Sequence, residues 1–246
     1  MRGKAWSALA LVWVVAVAAA QTPNWREGEH YFPLQPPQPT NVQAGKVEVT
    51  EVFSYACPAC NQFFSVFDRL RESLPPNAEV NFIAASFNPA EDWPVFQRAY
   101  YTAKALGIAA KTHDAMFNAV WKTGELATTD LQTGRLRDRM PTIEDIARWY
   151  HARTGVSTQK FIDTANSFSI NVQMRRADQF VQAAQVDQTP TIIVNGKYRL
   201  TLGSAGGYNQ IIELVKWLVQ KESTDARHAA AVGAMRTRHA PLASAR

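Results

Sequence analysis

Residues 51–60 read Glu51-Val52-Phe53-Ser54-Tyr55-Ala56-Cys57-Pro58-Ala59-Cys60, and the hydrophobic period changes within this decapeptide. Leading into it, residues 46–55 alternate: Val47, Val49, Phe53 and Tyr55 point one way and Glu48, Thr50 and Ser54 the other, which predicts a strand. Glu51 falls on the apolar side of that alternation. Beyond it, Cys60, Phe63, Phe64, Phe67 and Leu70 recur at helical spacing until Pro75-Pro76, which predicts a helix. Pro58 suits the first helical position, where its missing N–H is not needed. Cys57 therefore stands at the helix start, with Cys60 one turn on.

These are the only two cysteines in the chain. A bridge closing so short a loop constrains little of the unfolded chain, so chemistry explains the pair better than stapling. A thiol must ionise to attack, and a helix start favours the anion through unpaired N–H groups and the positive end of the macrodipole. Phase separates the two roles. Cys60 shares a face with Phe63, Phe64 and Phe67 and is expected to be buried; Cys57, at the tip, is expected to be accessible and to act as nucleophile, with Cys60 resolving. Two other readings of the spacing are half a zinc site and a small structural bridge. Zinc takes four ligands, there is no third cysteine, and the histidines (His30, His113, His151, His228, His239) are scattered, so no metal is expected.

Further out, residues 80–87 form a second short apolar run, and strand, helix and strand in about forty residues suggest a parallel crossover. From Trp93 to about Phe168 the pattern is helical throughout. Segments at 95–106 and 108–122 stop at Gly107 and Gly124, Thr142 caps a helix closing at Gly155, and Ser157 caps 158–165. One more helix at 170–185 returns the chain to the first unit. Thr191-Ile192-Ile193-Val194, Asn195-Gly196 and Lys197-Tyr198-Arg199-Leu200 then spell a hairpin, since a tight primed turn needs positive φ at both central positions. A last helix is expected over 208–221. Residues 21–45, rich in proline, read as an extended lead-in, and residues 222–246 as a mobile tail.

The 246 residues are 46% apolar and 19% charged, a globular composition, and the net charge of +5 contains no long basic block, so nucleic-acid binding is not expected. Arg2 and Lys4, the apolar run 8–17 and Ala18-Ala19-Ala20 predict a signal peptide over 1–20. As a membrane anchor the run is too short to span comfortably. Export would place the cysteines in an oxidising compartment.

The decapeptide, the helical block, and Thr189-Pro190-Thr191 ahead of Asn195-Gly196-Lys197-Tyr198 resemble the thioredoxin superfamily and, more closely, DsbA-type periplasmic disulfide oxidases, over about residues 25–221. The resemblance implies an α/β thioredoxin fold with an inserted all-helical domain: a thioredoxin-like domain over 21–90 and 169–221, and the insertion over 91–168. It implies a cis Thr189–Pro190 bond against the cysteine pair, with the adjoining backbone pairing to the substrate as an extra strand and keeping metals from the thiols. Cys57, Cys60, Pro190 and Glu51 would be the catalytic set, Glu51 being a buried acid that exchanges a proton with Cys60. Pro58, Ala59 and Thr189 would border the substrate. No cofactor is implied. Reduced exported proteins would be the substrates, a DsbB-like quinone-linked membrane oxidase the reoxidant, the periplasm the compartment, and a monomer the working form. One position departs from the pattern. Strongly oxidising relatives carry histidine where this chain has Ala59, which predicts a weaker oxidant. An isomerase or reductase on the same fold, and a non-catalytic binder of unfolded chains, remain as rival readings.

Overall fold

The computed structural model describes residues 24–238; the expected signal peptide lies outside them. The chain enters through a two-residue strand β1 (Phe32–Pro33), then β2 (Val47–Phe53), helix α1 (Pro58–Ser73) and β3 (Ala78–Ala84). Helices α2 (Trp93–Ala105), α3 (Ala109–Trp121), α4 (Ile143–Thr154), α5 (Thr158–Ala165) and α6 (Phe168–Ala183) follow. The chain closes with β4 (Thr191–Val194), β5 (Tyr198–Thr201), a short α7 (Leu202–Ala205) and α8 (Tyr208–Arg238). The sheet order is β1-β5-β4-β2-β3. Strands β2 and β3 are parallel across the α1 crossover, as the short strand–helix–strand span predicts, while β4 runs antiparallel to β2.

β2 lies inside this sheet, between β4 and β3, and is buried along its whole length. Glu48, Thr50 and Ser54, which the alternation sets opposite the apolar residues, are buried as well. Glu48 is stabilised there because its carboxylate accepts from the Asn41 N–H and the Thr50 hydroxyl, both at 2.8 Å. On one face α1 and α8 bury Phe63, Phe67, Leu70, Leu214 and Leu218 against Val47, Val49 and Ile192. Phe63 is fully enclosed, so truncating it to alanine would cost about 3–5 kcal/mol. The other cluster joins Val52, Phe53, Tyr55 and both cysteines to α2, α3 and α4.

The Asn195-Gly196 turn has positive φ at both residues, 52° and 64°, as the hairpin requires. Gly196 has a second constraint. A Cβ there would sit 2.0 Å from the Gln38 carbonyl oxygen, because the lead-in is strapped to the hairpin: Gln38 N–H donates to Gly196 and Leu34 N–H to Lys197, each at 2.7 Å. The proline-rich lead-in thus supplies an edge strand, with Phe32 opposite Arg199, where extended chain alone was expected.

Two further expectations need correction. The helical block is interrupted over 122–142 by an irregular segment in which Gly124 and Gly134 take positive φ and the Asp130 carboxylate accepts from the Gln132 and Thr133 N–H groups. Turn-forming side chains there outbid helix periodicity. The last helix, expected to stop at 221, also runs longer, since α8 continues to Arg238. Its anchor is Glu222, buried and accepting from Asn195 Nδ2 and Lys197 Nζ at 2.6 Å each, which ties the helix to the hairpin turn. Residues 239–246 lie outside the described residues. Among the described residues no helix is long and apolar enough to cross a membrane.

Candidate functional site

Sheet direction assembles the site. β2 and β3 are parallel and end at the same edge, and β4 begins there, since Val52 pairs with Thr191. The loop after β2 therefore meets the loop before β4. Cys57 is the N-cap of α1 and accepts from the Cys60 N–H through its sulfur at 3.4 Å; Pro58 takes the first helical position. The Cys57 thiol reaches the Thr189 carbonyl at 3.4 Å, across 132 residues of sequence. The Thr189–Pro190 bond is cis, as the resemblance implies.

The two thiols differ sharply. Hydrogen bonding from the Cys60 side chain is the main influence lowering the Cys57 pKa to about 6; burial opposes it, and the Thr189 side chain and the N–H groups of Cys60 and Ala59 reinforce it. The buried Thr189 hydroxyl has no other hydrogen-bond partner, so its proton is available to the Cys57 sulfur. Cys60 is pushed well above the ordinary thiol range, first by burial and then by the neighbouring Cys57. Helix phase correctly buries Cys60, which is 0% exposed. Cys57 is less open than expected: the cis-proline loop leaves it 5% exposed, so only a sliver of it meets solvent. Pro58 is exposed and Ala59 half-buried beside it.

Glu51 lies inside the sheet at 4% exposure, between Phe82 and Ile192 on the neighbouring strands. Burial raises its pKa well above the carboxylate range, with the negative charge of Cys57 adding to the effect. It acts in turn on Cys60, whose ionisation it opposes. Phe53, Tyr55 and Phe63 are core residues. Among the described residues no group of three or more histidines, cysteines or acids could hold a metal.

Two supports were not visible in the sequence. The Trp121 indole N–H, at the end of α3, donates to the Tyr55 carbonyl at 2.7 Å. The Tyr55 hydroxyl shares a 2.8 Å hydrogen bond with Nδ1 of His113, a buried histidine ringed by Phe53, Phe82 and Phe117. Burial, with a smaller contribution from Arg71, lowers the His113 pKa to about 4, so the ring is neutral near pH 7. An aromatic-to-histidine contact 58 residues apart has no local signal in sequence.

A dithiol at a helix start, one sulfur acidic and its neighbour not, beside a cis proline on a mixed sheet with helices inserted, defines a redox protein of the thioredoxin fold. Residues 42–213 match the thioredoxin family model. The chain is 34% identical to the thiol:disulfide interchange protein DsbA of Pseudomonas aeruginosa strain PAO1 over 85% of this chain and 91% of that protein, and 31% identical to the DsbA of Azotobacter vinelandii over 79% and 83%. The crystal structure of Pseudomonas aeruginosa DsbA superposes with a TM-score of 0.69 at 33% identity, covering 82% of this chain and 97% of that one. The oxidoreductase DsbA from Xylella fastidiosa gives 0.69 at 28% identity, over 80% and 97%. The chain belongs to the DsbA family of thiol:disulfide oxidoreductases, enzymes of dithiol–disulfide exchange.

Proposed function

We propose that this protein oxidises pairs of thiols in exported proteins, in the periplasm, with Cys57 as the exchanging sulfur and Cys60 as its resolving partner. The observation that carries this reading is the asymmetry of the pair: Cys57 with a pKa near 6 and Cys60 pushed far up. In the oxidised enzyme a substrate thiolate attacks the Cys57 sulfur, the Cys57–Cys60 bond breaks, and Cys60 leaves with the electron pair. Glu51 supplies the proton that Cys60 takes up. The second substrate thiolate then attacks the substrate sulfur of the mixed disulfide, and Cys57 leaves as the thiolate. The substrate has lost two electrons and the enzyme has gained them. A low Cys57 pKa makes it a good leaving group in this last step.

Pro190 and the Thr189 backbone form the edge against which the substrate lies, with Pro58 and Ala59 bordering it; the contact of Cys57 with the Thr189 carbonyl supports this placement. A DsbB-like quinone-linked membrane oxidase returns the pair to the disulfide. The helical unit over 91–168 is an insertion that encloses the site from one side. The test is oxidation of a reduced model protein by the purified, oxidised enzyme. Stoichiometric disulfide transfer, lost in Cys57→Ser, is the expected result. Rapid reduction of a disulfide substrate with no net oxidation would instead favour a reductase.

A further inference from the structure

A cleft of about 420 Å³ opens between the β3–α2 loop and the end of α6, lined by Ser86, Phe87, Asp178, Val181, Val186 and Asp187. Its place follows from the sheet. The Ala85 N–H donates to the Phe53 carbonyl at 2.8 Å, so Ser86 and Phe87 leave β3 at the end where β2 delivers Cys57. Val186 and Asp187 precede Thr189 by three and two residues, and Thr189 touches the Cys57 sulfur. Three residues of extended chain span at most about 10 Å.

The lining has two characters. Val181 and Val186 are nearly covered, while Phe87 lies against Trp93 at 4.9 Å and is still 43% exposed, so apolar surface of the cleft is open to a ligand. The rim is acidic. Asp178 accepts from the Ser86 hydroxyl at 2.7 Å and the Gln97 amide at 2.8 Å, neither of which neutralises its charge. The Asp187 side chain is 79% exposed, with Arg199 at 3.9 Å as its ion-pair partner and that guanidinium also committed to the Gln185 carbonyl. Among the described residues no lysine or arginine lines the cleft, although the chain as a whole carries a net charge of +5.

We infer that the Phe87–Asp187 cleft is a substrate subsite that takes an apolar side chain from a segment also bearing a lysine or arginine, within about two or three residues of the reacting cysteine. The inference rests on the redox reading above and adds a sequence preference to it. A substrate strand running beside Thr189 would lay alternate side chains over this cleft, with the apolar body on Phe87 and the cation at the carboxylates.

Three reduced cysteine peptides of equal length test it, with Leu and Lys, Leu and Glu, or Ser and Lys flanking the cysteine; kcat/KM is measured with the oxidised full protein. The Leu–Lys peptide is expected to react about threefold to tenfold faster than either other peptide, the range of one exposed ion pair or one apolar contact. Asp187→Asn should narrow the Lys-over-Glu ratio and Phe87→Ser the Leu-over-Ser ratio, each towards one. Dithiothreitol, which needs no subsite, separates the two readings in the unmodified protein. Exchange with dithiothreitol but equal rates for all three peptides, or ratios unmoved in both variants, overturns the subsite and leaves the redox reading standing. Exchange with neither overturns both.

Discussion

The indole N–H of Trp121 donates to the carbonyl of Tyr55 at 2.7 Å, fastening the end of α3 to the backbone two residues before Cys57. Through this bond the inserted helices hold the loop that presents the reactive sulfur. Trp121→Phe keeps most of the bulk and removes the donor. It should lower stability by about 1 kcal/mol, the usual net value of one such bond, and slow substrate oxidation more than it slows exchange with dithiothreitol. Denaturant unfolding alongside the two rates checks this.

Alkylation of the reduced enzyme should report Cys57 first, with a rate that rises through a midpoint near pH 6 and levels off by about pH 8. Cys60→Ala removes the largest influence lowering that pKa and should move the midpoint upward. Stability follows the same ionisation. The folded pKa lies below the unfolded one, so Cys57 stabilises the reduced fold above the unfolded thiol pKa and loses that contribution as pH falls through about 6.

Ala59 contributes only a backbone N–H to the Cys57 anion. Ala59→His adds a cationic or hydrogen-bonding ring at the same helix start. It should lower the Cys57 pKa further and make the disulfide more readily reduced, read as a shift of the redox equilibrium against glutathione. A shift in the other direction would remove the argument that alanine makes this enzyme a milder oxidant.

Glu51 binds a proton more tightly folded than unfolded, because burial disfavours its anion. Its contribution is present in full below the unfolded carboxylate pKa and is lost as pH rises through the raised folded value. Glu51→Gln abolishes that loss, so the variant should be more stable than its parent at neutral pH. If Glu51 moves the Cys60 proton, the same variant should exchange more slowly, with a flatter pH–rate profile between pH 5 and about pH 8. Thermal unfolding and stopped-flow exchange across that range measure the two effects separately.

His113 is a buried base held neutral, so acid should act on it. Between about pH 6.5 and 4 the unfolded chain binds a proton that the folded chain refuses, and stability falls with pH by at most about 3 kcal/mol across that window. His113→Gln retains a partner for the Tyr55 hydroxyl and should flatten this part of the stability curve. Urea midpoints at a series of pH values test it.

What the sequence determined by itself is local. A change of period at residues 51–60, a proline at the first helical position and the phase of Cys60 among phenylalanines specify a strand, a helix and a cysteine pair with one buried member. Asn195-Gly196 specifies its hairpin because only a few residue types accept positive φ. Tertiary structure decided whatever depends on neighbours remote in the chain. Glu48 reads as one of a polar face until the Asn41 N–H of the lead-in gives its buried carboxylate a partner, and the Glu222 region reads as a tail until Asn195 and Lys197 do the same. Cys57 reads as open until Thr189, 132 residues away, closes over it, and the Trp121 and His113 supports exist only across the join between helices and sheet. Period and turn chemistry act over a few residues. Burial and hydrogen-bond satisfaction are set by what the fold brings alongside, which no local pattern encodes.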